Sequence, residues 1–481
     1  MNRICFLFII FLLNCARTGP RYTIADIPPN PVVPTEKQIE YQRMELIGFI
    51  HFGVNTFTDR EWGTGKESPE IFNPSALDAG QWIKTAKEVG IKQLIITAKH
   101  HDGFCLWPSA YTDHSVKSSP WQEGRGDVLK ELSEACAKEG IKLGFYLSPW
   151  DMHEPSYGTS GYNKFYLNQL EELLTAYGPV SEIWMDGAKG ENAKDMEYDF
   201  TLFRSLIYRL QPGALIFSDA GPDIRWIGNE RGIAGKTNWS MINRDNIIIG
   251  KSDPAYLNTG DQKGQHWLVG ECDVSVRPGW FYHASQDNLV KSPRELVDLY
   301  YKSVGRNATL LLNIPPDPRG QWHETDIKNL KEFRSILDET FHENLALGKR
   351  ATSSDHRMKN NYFSPGNITD PYDSTYWATN DNVIQSWVEI DLGKRITFDR
   401  ITVREPIRFG QRISSFRVEA RLHGEWATIA RGTTIGFKRL LRIAPVKTDK
   451  LRLVIEEANN IPAVSDLGLY KASYREPNII D

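Results

Sequence analysis

Residues 93–107 read QLIITAKHHDGFCLW, an apolar run that ends in two adjacent histidines and an Asp-Gly turn. The run 93–98 is short and aliphatic and is followed at once by polar side chains, which predicts a strand buried on both faces. Six further runs share this character and are also predicted strands, at 47–52, 142–147, 181–186, 214–218, 266–269 and 309–313.

Amphipathic helices are predicted between these strands, at 79–89, 128–139, 162–177 and 294–304. Strands that alternate with helices imply a parallel sheet covered on both faces. About 300 residues of this pattern favour a closed barrel over an open sheet. Residues 21–342 are therefore predicted to form an α/β domain, a (β/α)8-like TIM barrel.

The pattern changes near residue 343. Helical periods vanish, and short alternating strands are predicted at 386–392, 401–404, 416–420 and 450–455. This spacing is typical of a β-sandwich. Residues 343–475 are therefore predicted to form a second domain, a C-terminal all-β sandwich.

The composition narrows the class of partner. The 481 residues carry a formal net charge of −4, whereas nucleic-acid-binding proteins usually carry a basic excess, so no nucleic acid is expected as a partner. The 14 tryptophans and 19 tyrosines supply flat apolar faces with a polar edge, which suit stacking on sugar rings. Carbohydrate is therefore the favoured class of ligand.

Residues 1–20, MNRICFLFIIFLLNCARTGP, combine one early cation with an apolar run too short to span a bilayer. They are predicted to be a signal peptide. The run ends in LLNC, which resembles a bacterial lipobox whose cysteine, here Cys15, is acylated after cleavage. Asn14 departs from the usual small residue, so soluble export is the alternative. We expect an exported protein of the bacterial periplasm or cell surface, joined to the membrane only through a lipid on Cys15.

Polar side chains stand at the ends of four consecutive predicted strands: His51 at the first, His100 and His101 at the second, Tyr146 at the third and Asp186 at the fourth. In a parallel barrel, functional residues gather at these carboxyl ends, so we expect them to meet in one site. Two alternatives stand. The aspartate could cap the following helix, and the histidines could bind zinc, although neither an HxH nor an HExxH spacing occurs.

Histidines and tryptophans around one carboxylate suit a sugar, because imidazole and indole groups bond hydroxyls and a carboxylate can attack the anomeric carbon. Four motifs, in order, resemble those of the α-L-fucosidases of glycoside hydrolase family 29. They are FIHFG at 49–53, KHHDGF at 99–104 with Trp107, YLSPW at 146–150 and IWMDG at 183–187. The resemblance spans roughly residues 40–320 and implies fucosylated oligosaccharides or glycoconjugates as substrates.

The resemblance implies a role for individual residues. The family's nucleophile, the Asp of the W-x-D motif, falls on Asp186. The family's sugar-contacting positions fall on His51, Glu61, Trp62, His100, His101, Tyr146 and Trp184. Phe104 and Trp107 are candidates for an apolar wall near the methyl group of fucose, with core packing as the alternative for Phe104.

Two later stretches, RWIGNER at 225–231 and GECDVSVRPGWFYH at 270–283, resemble the subgroup of this family that is selective for α-1,3 and α-1,4 fucosides. In that subgroup the first motif supplies the general acid/base, which falls on Glu230. Arg277 and Trp280 are implied sugar-site residues, and Glu271 is a further candidate; alternatively, Arg277 pairs with a structural carboxylate. The resemblance implies an exo-acting retaining enzyme that needs no organic cofactor. A fucose-binding lectin on an inactive barrel and a glycosidase for another sugar are the alternatives.

The C-terminal domain resembles the discoidin-like, coagulation factor 5/8 type C fold, a jelly-roll, in its motifs NLALGK at 344–349, ITD at 368–370 and VSDLGLY at 464–470. In carbohydrate-binding relatives, a structural calcium ion often lies near the positions that fall on Asp370, Asp373, Thr375 and Asp466. The resemblance therefore implies a possible Ca²⁺ site and a possible carbohydrate-binding module. The alternative is that the domain only supports the barrel.

Overall fold

The structure, a computed structural model, describes residues 25–477, 479 and 480. The predicted signal peptide and Cys15 lie outside the described residues. An α/β barrel comes first along the chain, and an all-β domain follows it. Within the described part of the chain, no helix is both long and apolar enough to cross a membrane.

Eight parallel strands close into a barrel, as the alternating pattern predicted. They are β1 (Leu46–Ile50), β2 (Gln93–Lys99), β3 (Lys142–Leu147), β4 (Glu182–Trp184), β5 (Leu215–Ser218), β6 (Ile224–Trp226), β9 (Val269–Ser275) and β10 (Ala308–Asn313). The ring closes at β1, where Phe49 lies beside Ile95 of β2 on one side and Asn313 of β10 on the other. Two short strands, β7 (Met241–Ile242) and β8 (His266–Trp267), pair antiparallel outside the barrel.

Two strands of the barrel differ from the prediction. The prediction of a barrel strand at 266–269 is wrong. Residues 266 and 267 form β8, and the barrel strand β9 begins at Val269 and runs on through Glu271 and Asp273. The short strand β6, which contains the buried Arg225, was not predicted. Both strands place charged side chains at buried positions, so a search for apolar runs passes over them.

Nine α-helices lie in the described part of the chain. They are α1 (Glu36–Met44), α2 (Val54–Thr58), α3 (Ala79–Val89), α4 (Val128–Glu139), α5 (Gly161–Ala176), α6 (Phe200–Leu210), α7 (Pro254–Thr259), α8 (Pro293–Lys302) and α9 (Glu324–Thr340). The helix predicted at 79–89 is confirmed as α3. It begins after Asp78, whose side chain accepts a hydrogen bond from the Gln81 N–H, and it ends at Gly90, which has a φ of 85°.

The second domain is antiparallel and all-β. Its strands are β11 (Arg350–Ser353), β12 (Trp377–Ala378), β13 (Ser386–Arg404), β14 (Ile413–Leu422), β15 (Glu425–Gly432), β16 (Arg439–Ala458), β17 (Ala463–Val464) and β18 (Asp466–Tyr470). The main sheet has the order β11-β13-β16-β14-β15, with β18 also on β13, and β12 pairs with β17. The predicted strands 386–392 and 401–404 are one long strand, β13, whose pairing shifts register after Asp391.

The all-β domain contacts the barrel at the amino ends of the barrel strands. Glu45, directly before β1, forms an ion pair with Lys438, and Asn307, directly before β10, accepts a 2.8 Å hydrogen bond from the Phe437 N–H. Catalytic sites of parallel barrels lie at the opposite, carboxyl ends. The contact therefore places the second domain away from the predicted site.

Candidate active site

A cavity of about 320 Å³ opens at the carboxyl ends of the barrel strands. Nine of the predicted site residues line it: His51, Trp62, His100, His101, Tyr146, Trp184, Asp186, Glu230 and Trp280. They come from segments spread over most of the barrel sequence, and the barrel brings them together because parallel strands end at the same edge.

Asp186 lies two residues beyond β4, on the cavity wall. Its carboxylate accepts hydrogen bonds from Tyr146 Oη at 3.0 Å and from the Ala188 N–H at 2.8 Å. Burial raises the pKa of Asp186, and these hydrogen bonds oppose the rise. The helix-cap alternative is wrong, because the next helix, α6, is capped by Asp199.

Glu230 lies in the loop after β6, on the same cavity. Trp280 Nε1 donates a hydrogen bond to its Oε2 at 3.2 Å. Burial raises the pKa of Glu230 against this hydrogen bond, and the negative charges of Asp186 and Glu61 raise it further. A carboxyl group with a raised pKa keeps its proton closer to neutral pH, as a general acid must.

The three cavity histidines are neutral. Burial lowers the pKa of His51 and of His101 to about 3, and it lowers the pKa of His100 well below its ordinary value. A neutral imidazole has one donor nitrogen and one acceptor nitrogen. Such groups can bond sugar hydroxyls without placing a positive charge beside the carboxylates.

Hydrogen bonds behind the rings fix two of the tautomers. The amide nitrogen of Asn313 donates to Ser275 Oγ, so its Oδ1, 2.9 Å from His51 Nδ1, accepts from that ring. Ser148 Oγ donates to the Trp150 carbonyl and so accepts from His101 Nδ1 at 2.7 Å. In both histidines Nε2 is left as an acceptor.

An aromatic wall completes the cavity. Trp184 is stacked on Phe217, with centroids 4.1 Å apart and planes 6° apart, and on Tyr146 at 5.2 Å. Trp62 stands at the rim with 46% of its surface exposed, and its ring centroid lies 5.4 Å from that of His101, with the two planes nearly perpendicular. Stacked rings of this kind can cover the C–H faces and the methyl group of a deoxy sugar.

Four predicted site residues do not line the cavity: Glu61, Trp107, Glu271 and Arg277. Trp107 is buried, and its Nε1 donates to Glu172 of α5 at 2.8 Å, so it belongs to the packing between the β2 loop and α5. Phe104 is likewise buried against Phe72, as its core-packing alternative expected.

The charged groups of the other three are held by partners within the protein and do not face the cavity. Arg277 is buried in ion pairs with Asp326 at 2.9 Å and Asp287 at 2.8 Å, which is the structural alternative for this residue. Glu271 lies inside the barrel behind Trp184, whose Nε1 donates to it at 2.8 Å. The Glu61 carboxylate accepts from the backbone N–H of Trp280 at 2.7 Å.

Other residues of the lining were not predicted as site residues, among them Phe217, Asp219, Trp226 and Asp273. Phe217 lies within the predicted strand 214–218, and Asp219 directly follows it, where a polar side chain at a strand end is expected to reach the site. Asp273 lies in β9, which was not predicted. Its Oδ1 accepts from Trp226 Nε1 at 2.9 Å, and burial raises its pKa well above the ordinary value.

A second, larger cavity of about 900 Å³ adjoins the first. Both cavities are lined by residues 186–189 and by Gly250. The larger one continues along Tyr157, Tyr198 and Ile248, which lie on the loops after β3 and β4 and near the 3-10 turn after β7. A ligand bound at Asp186 can therefore extend into a wide groove.

The residues expected at a calcium site have partners within the protein. Asp370 accepts from Thr375 Oγ1 at 2.8 Å, but Asp373 pairs with Arg43 of the barrel at 3.3 Å, and Asp466 accepts from Thr402 Oγ1 at 3.0 Å. Among the described residues, no group of three or more His, Cys, Asp or Glu side chains could hold a metal ion. The Ca²⁺ site therefore stays a prediction.

Comparison with known proteins gives the same two-part division of the chain. Residues 37–339 match the family model described as alpha-L-fucosidase, and residues 350–467 match the model of the F5/8 type C domain. Alpha-L-fucosidase 1 of Arabidopsis thaliana is 48% identical over 472 residues, which is 97% of this chain and 93% of that protein.

Solved structures are similar along nearly the whole chain. A crystal structure of a protein from Bacteroides thetaiotaomicron, described as a putative alpha-L-fucosidase, superposes with a TM-score of 0.89 at 40% identity, over 93% of this chain and 100% of that one. A Ruminococcus gnavus GH29 fucosidase in complex with fucose superposes with a TM-score of 0.87 at 38% identity, over 94% of this chain and 97% of that one.

Proposed function

Because this chain belongs to the alpha-L-fucosidase family of glycoside hydrolases, we propose that it is an exo-acting enzyme that releases L-fucose with retention of anomeric configuration. The observation that carries the proposal is that Asp186 and Glu230 line one cavity among neutral histidines and stacked aromatic rings. Retaining glycosidases need this pair, one carboxylate as the nucleophile and one carboxyl group as the acid/base.

In the proposed reaction, the Asp186 carboxylate attacks the anomeric carbon of an α-fucoside and forms a β-linked fucosyl-enzyme. Glu230 gives its proton to the departing glycosidic oxygen in the same step. Glu230 then takes a proton from water, the water oxygen attacks the anomeric carbon, and the bond to Asp186 breaks. Two inversions return the α configuration. The hydrogen bonds from Tyr146 and Ala188 hold the Asp186 carboxylate in place for the attack.

We further propose that the preferred glycans are Lewis-type, with fucose joined α-1,3 or α-1,4 to N-acetylglucosamine. The stretches 225–231 and 270–283 support this through their resemblance to the selective subgroup. The groove beside Asp186 supports it by its size, because a branched leaving group needs room next to the reacting bond. Contacts between the enzyme and the branching sugar would stabilise the transition state of fucoside cleavage, because binding energy from a remote part of the substrate can be used at the reacting bond.

A substrate comparison tests the proposal. Lewis trisaccharides should release fucose far faster than 2′-fucosyllactose, and aryl glycosides of other sugars should be inert. Efficient cleavage of 2′-fucosyllactose with intact Lewis trisaccharides would contradict the linkage assignment. Fucose binding without any release would instead support the lectin alternative, and release of another sugar would support the glycosidase of different specificity.

We also propose that the protein is exported and held at the bacterial membrane through acylated Cys15. Mass spectrometry of the mature amino-terminal peptide checks this. A peptide with a diacylglyceryl cysteine is heavier than the unmodified peptide by roughly the mass of two fatty acyl chains, on the order of several hundred daltons.

A further inference from the structure

One buried histidine outside the cavity lies between two carboxylates. His283, in the loop after β9, has its Nδ1 2.6 Å from Asp59 Oδ1 and its Nε2 2.6 Å from Glu61 Oε1. Ionised carboxylates only accept hydrogen bonds, and an imidazole donates from both nitrogens only when it carries a proton on each. The geometry is that of an imidazolium that bridges two loops.

Glu61, one arm of this bridge, also holds the backbone of the β9 loop. Its Oε2 accepts from the Trp280 N–H at 2.7 Å, and its Oε1 accepts from the Phe281 N–H at 3.3 Å. The close approach requires glycine at 279, because a Cβ on Gly279 would lie 2.2 Å from Glu61 Oε1.

Trp280 connects the His283 bridge to the cavity. Its carbonyl accepts from Asn313 Nδ2 at 2.8 Å, so its backbone is held on both sides, and its ring lies 5.1 Å from that of His51. Its Nε1 donates to Glu230 Oε2 at 3.2 Å. A continuous path of contacts therefore runs from His283 through Glu61 and Trp280 to Glu230.

We propose that His283 is a positioning residue: by bridging Asp59 and Glu61 it joins the β1 loop to the β9 loop and fixes Trp280, and through Trp280 it fixes Glu230. This inference rests on the proposed acid/base role of Glu230. His283 itself does not line the cavity and touches no reacting atom.

The electrostatics agree with this geometry. Burial on its own lowers the pKa of His283, but the hydrogen bonds to Asp59 and Glu61 and the charges of both outweigh it, so the pKa is raised above 6.5. These two carboxylates are the ionisable groups that act on the ring from the segments packed against it. The charged bridge is therefore complete where the imidazole is protonated and both carboxylates are ionised, and it is lost as the pH rises through the raised pKa.

The first test follows the imidazole directly in the full chain. Histidine NMR signals titrated in the wild type and in His283→Gln identify the His283 signal as the one that disappears, and it should titrate above pH 6.5. A His283 signal that titrates at or below that value would overturn the bridge. This measurement does not depend on fucosidase activity, so it decides the bridge even if no fucoside is cleaved.

The second test separates positioning from general loss of structure. If His283 acts through the acid Glu230, His283→Gln should lower kcat/KM for a Lewis trisaccharide by about tenfold or more, yet by less than about twofold for dinitrophenyl fucoside, whose leaving group needs no proton. Equal losses on both substrates would overturn the proposal.

The matched control is His323→Gln. His323 also lies between two carboxylates, 3.7 Å from Asp287 and from Glu324, but it has no contact with Glu61 or Trp280 in the described structure. The His323→Gln variant should keep the wild-type ratio of kcat/KM for the Lewis trisaccharide to kcat/KM for dinitrophenyl fucoside. A changed ratio would count against a path that runs specifically through His283. If His283→Gln does not fold, Gly279→Ala displaces Glu61 directly and should give the same substrate-dependent loss; an unchanged ratio there would overturn the proposal.

Discussion

The indole nitrogen of Trp184 donates a 2.8 Å hydrogen bond to Oε1 of Glu271, a carboxyl group wholly buried inside the barrel. Tyr41 Oη donates to the other oxygen of the same group. Trp184 is also stacked on Phe217 and stands two residues before Asp186. The ring that backs the proposed nucleophile is thus anchored from within the barrel.

Glu271 should make stability depend on pH. Burial, opposed by hydrogen bonds from Tyr41 and Trp184, raises its pKa from 4.5 to about 7. The folded protein keeps this proton where the unfolded chain has lost it, so the stabilisation is full below pH 4.5 and is lost as the pH rises to about 7. In Glu271→Gln, the fall in the free energy of unfolding over this interval should be shallower than in the wild type.

Urea unfolding at a series of pH values measures this slope. Glu171→Gln, which removes an exposed glutamate of α5, is the control and should keep the wild-type slope. A Glu271→Gln slope equal to that of the wild type would show that folding does not change the protonation of Glu271 over this interval.

Glu230→Ala should lose most activity on natural glycans and little on an activated donor. A general acid matters most for a poor leaving group, so cleavage of a Lewis trisaccharide should fall by about 10²-fold or more while fucosyl transfer from dinitrophenyl fucoside persists. Azide should then attack the accumulated fucosyl-enzyme and give α-fucosyl azide, identified by NMR. Activity on the trisaccharide within about tenfold of wild type would exclude Glu230 as the acid.

Asp186→Gly should abolish turnover and respond to azide with the opposite stereochemistry. Without the nucleophile, azide occupies the space that the carboxylate vacated and displaces the leaving group in a single inversion, which gives β-fucosyl azide. The coupling constant at the anomeric proton distinguishes the two products. Formation of the α-azide by this variant would place the nucleophile elsewhere.

Arg277→Ala should act on stability and not on sugar binding. Its guanidinium is fully buried, and removing it leaves Asp326 with an uncompensated buried charge, which typically costs about 3–5 kcal/mol. Arg334→Ala, which removes the exposed partner of Asp338 on α9, should change the free energy of unfolding by less than about 1 kcal/mol. Thermal and urea unfolding compare the two. An Arg277→Ala protein with normal stability and a raised KM would show that Arg277 contributes to sugar binding.

Local pattern accounts for much of the barrel. The helix at 79–89 follows from its apolar periodicity, the capping Asp78 and the terminating Gly90, all within a dozen residues of one another. The meeting of His51, His101 and Asp186 follows from a rule of topology, since residues at the ends of parallel strands share one edge whatever their separation along the chain.

The sequence by itself therefore determined the barrel, the all-β domain and nine of the residues on the cavity wall, whereas only the tertiary structure decided where individual polar side chains point. Arg277 turns to Asp326 on α9, Trp107 turns to Glu172 on α5, and Glu271 points into the barrel, although all three stand in motifs that resemble a sugar site. Residue type and local element are short-range properties, written in a few neighbouring positions. The partner that satisfies a buried charge or indole N–H comes from a distant segment, and long-range packing alone selects it.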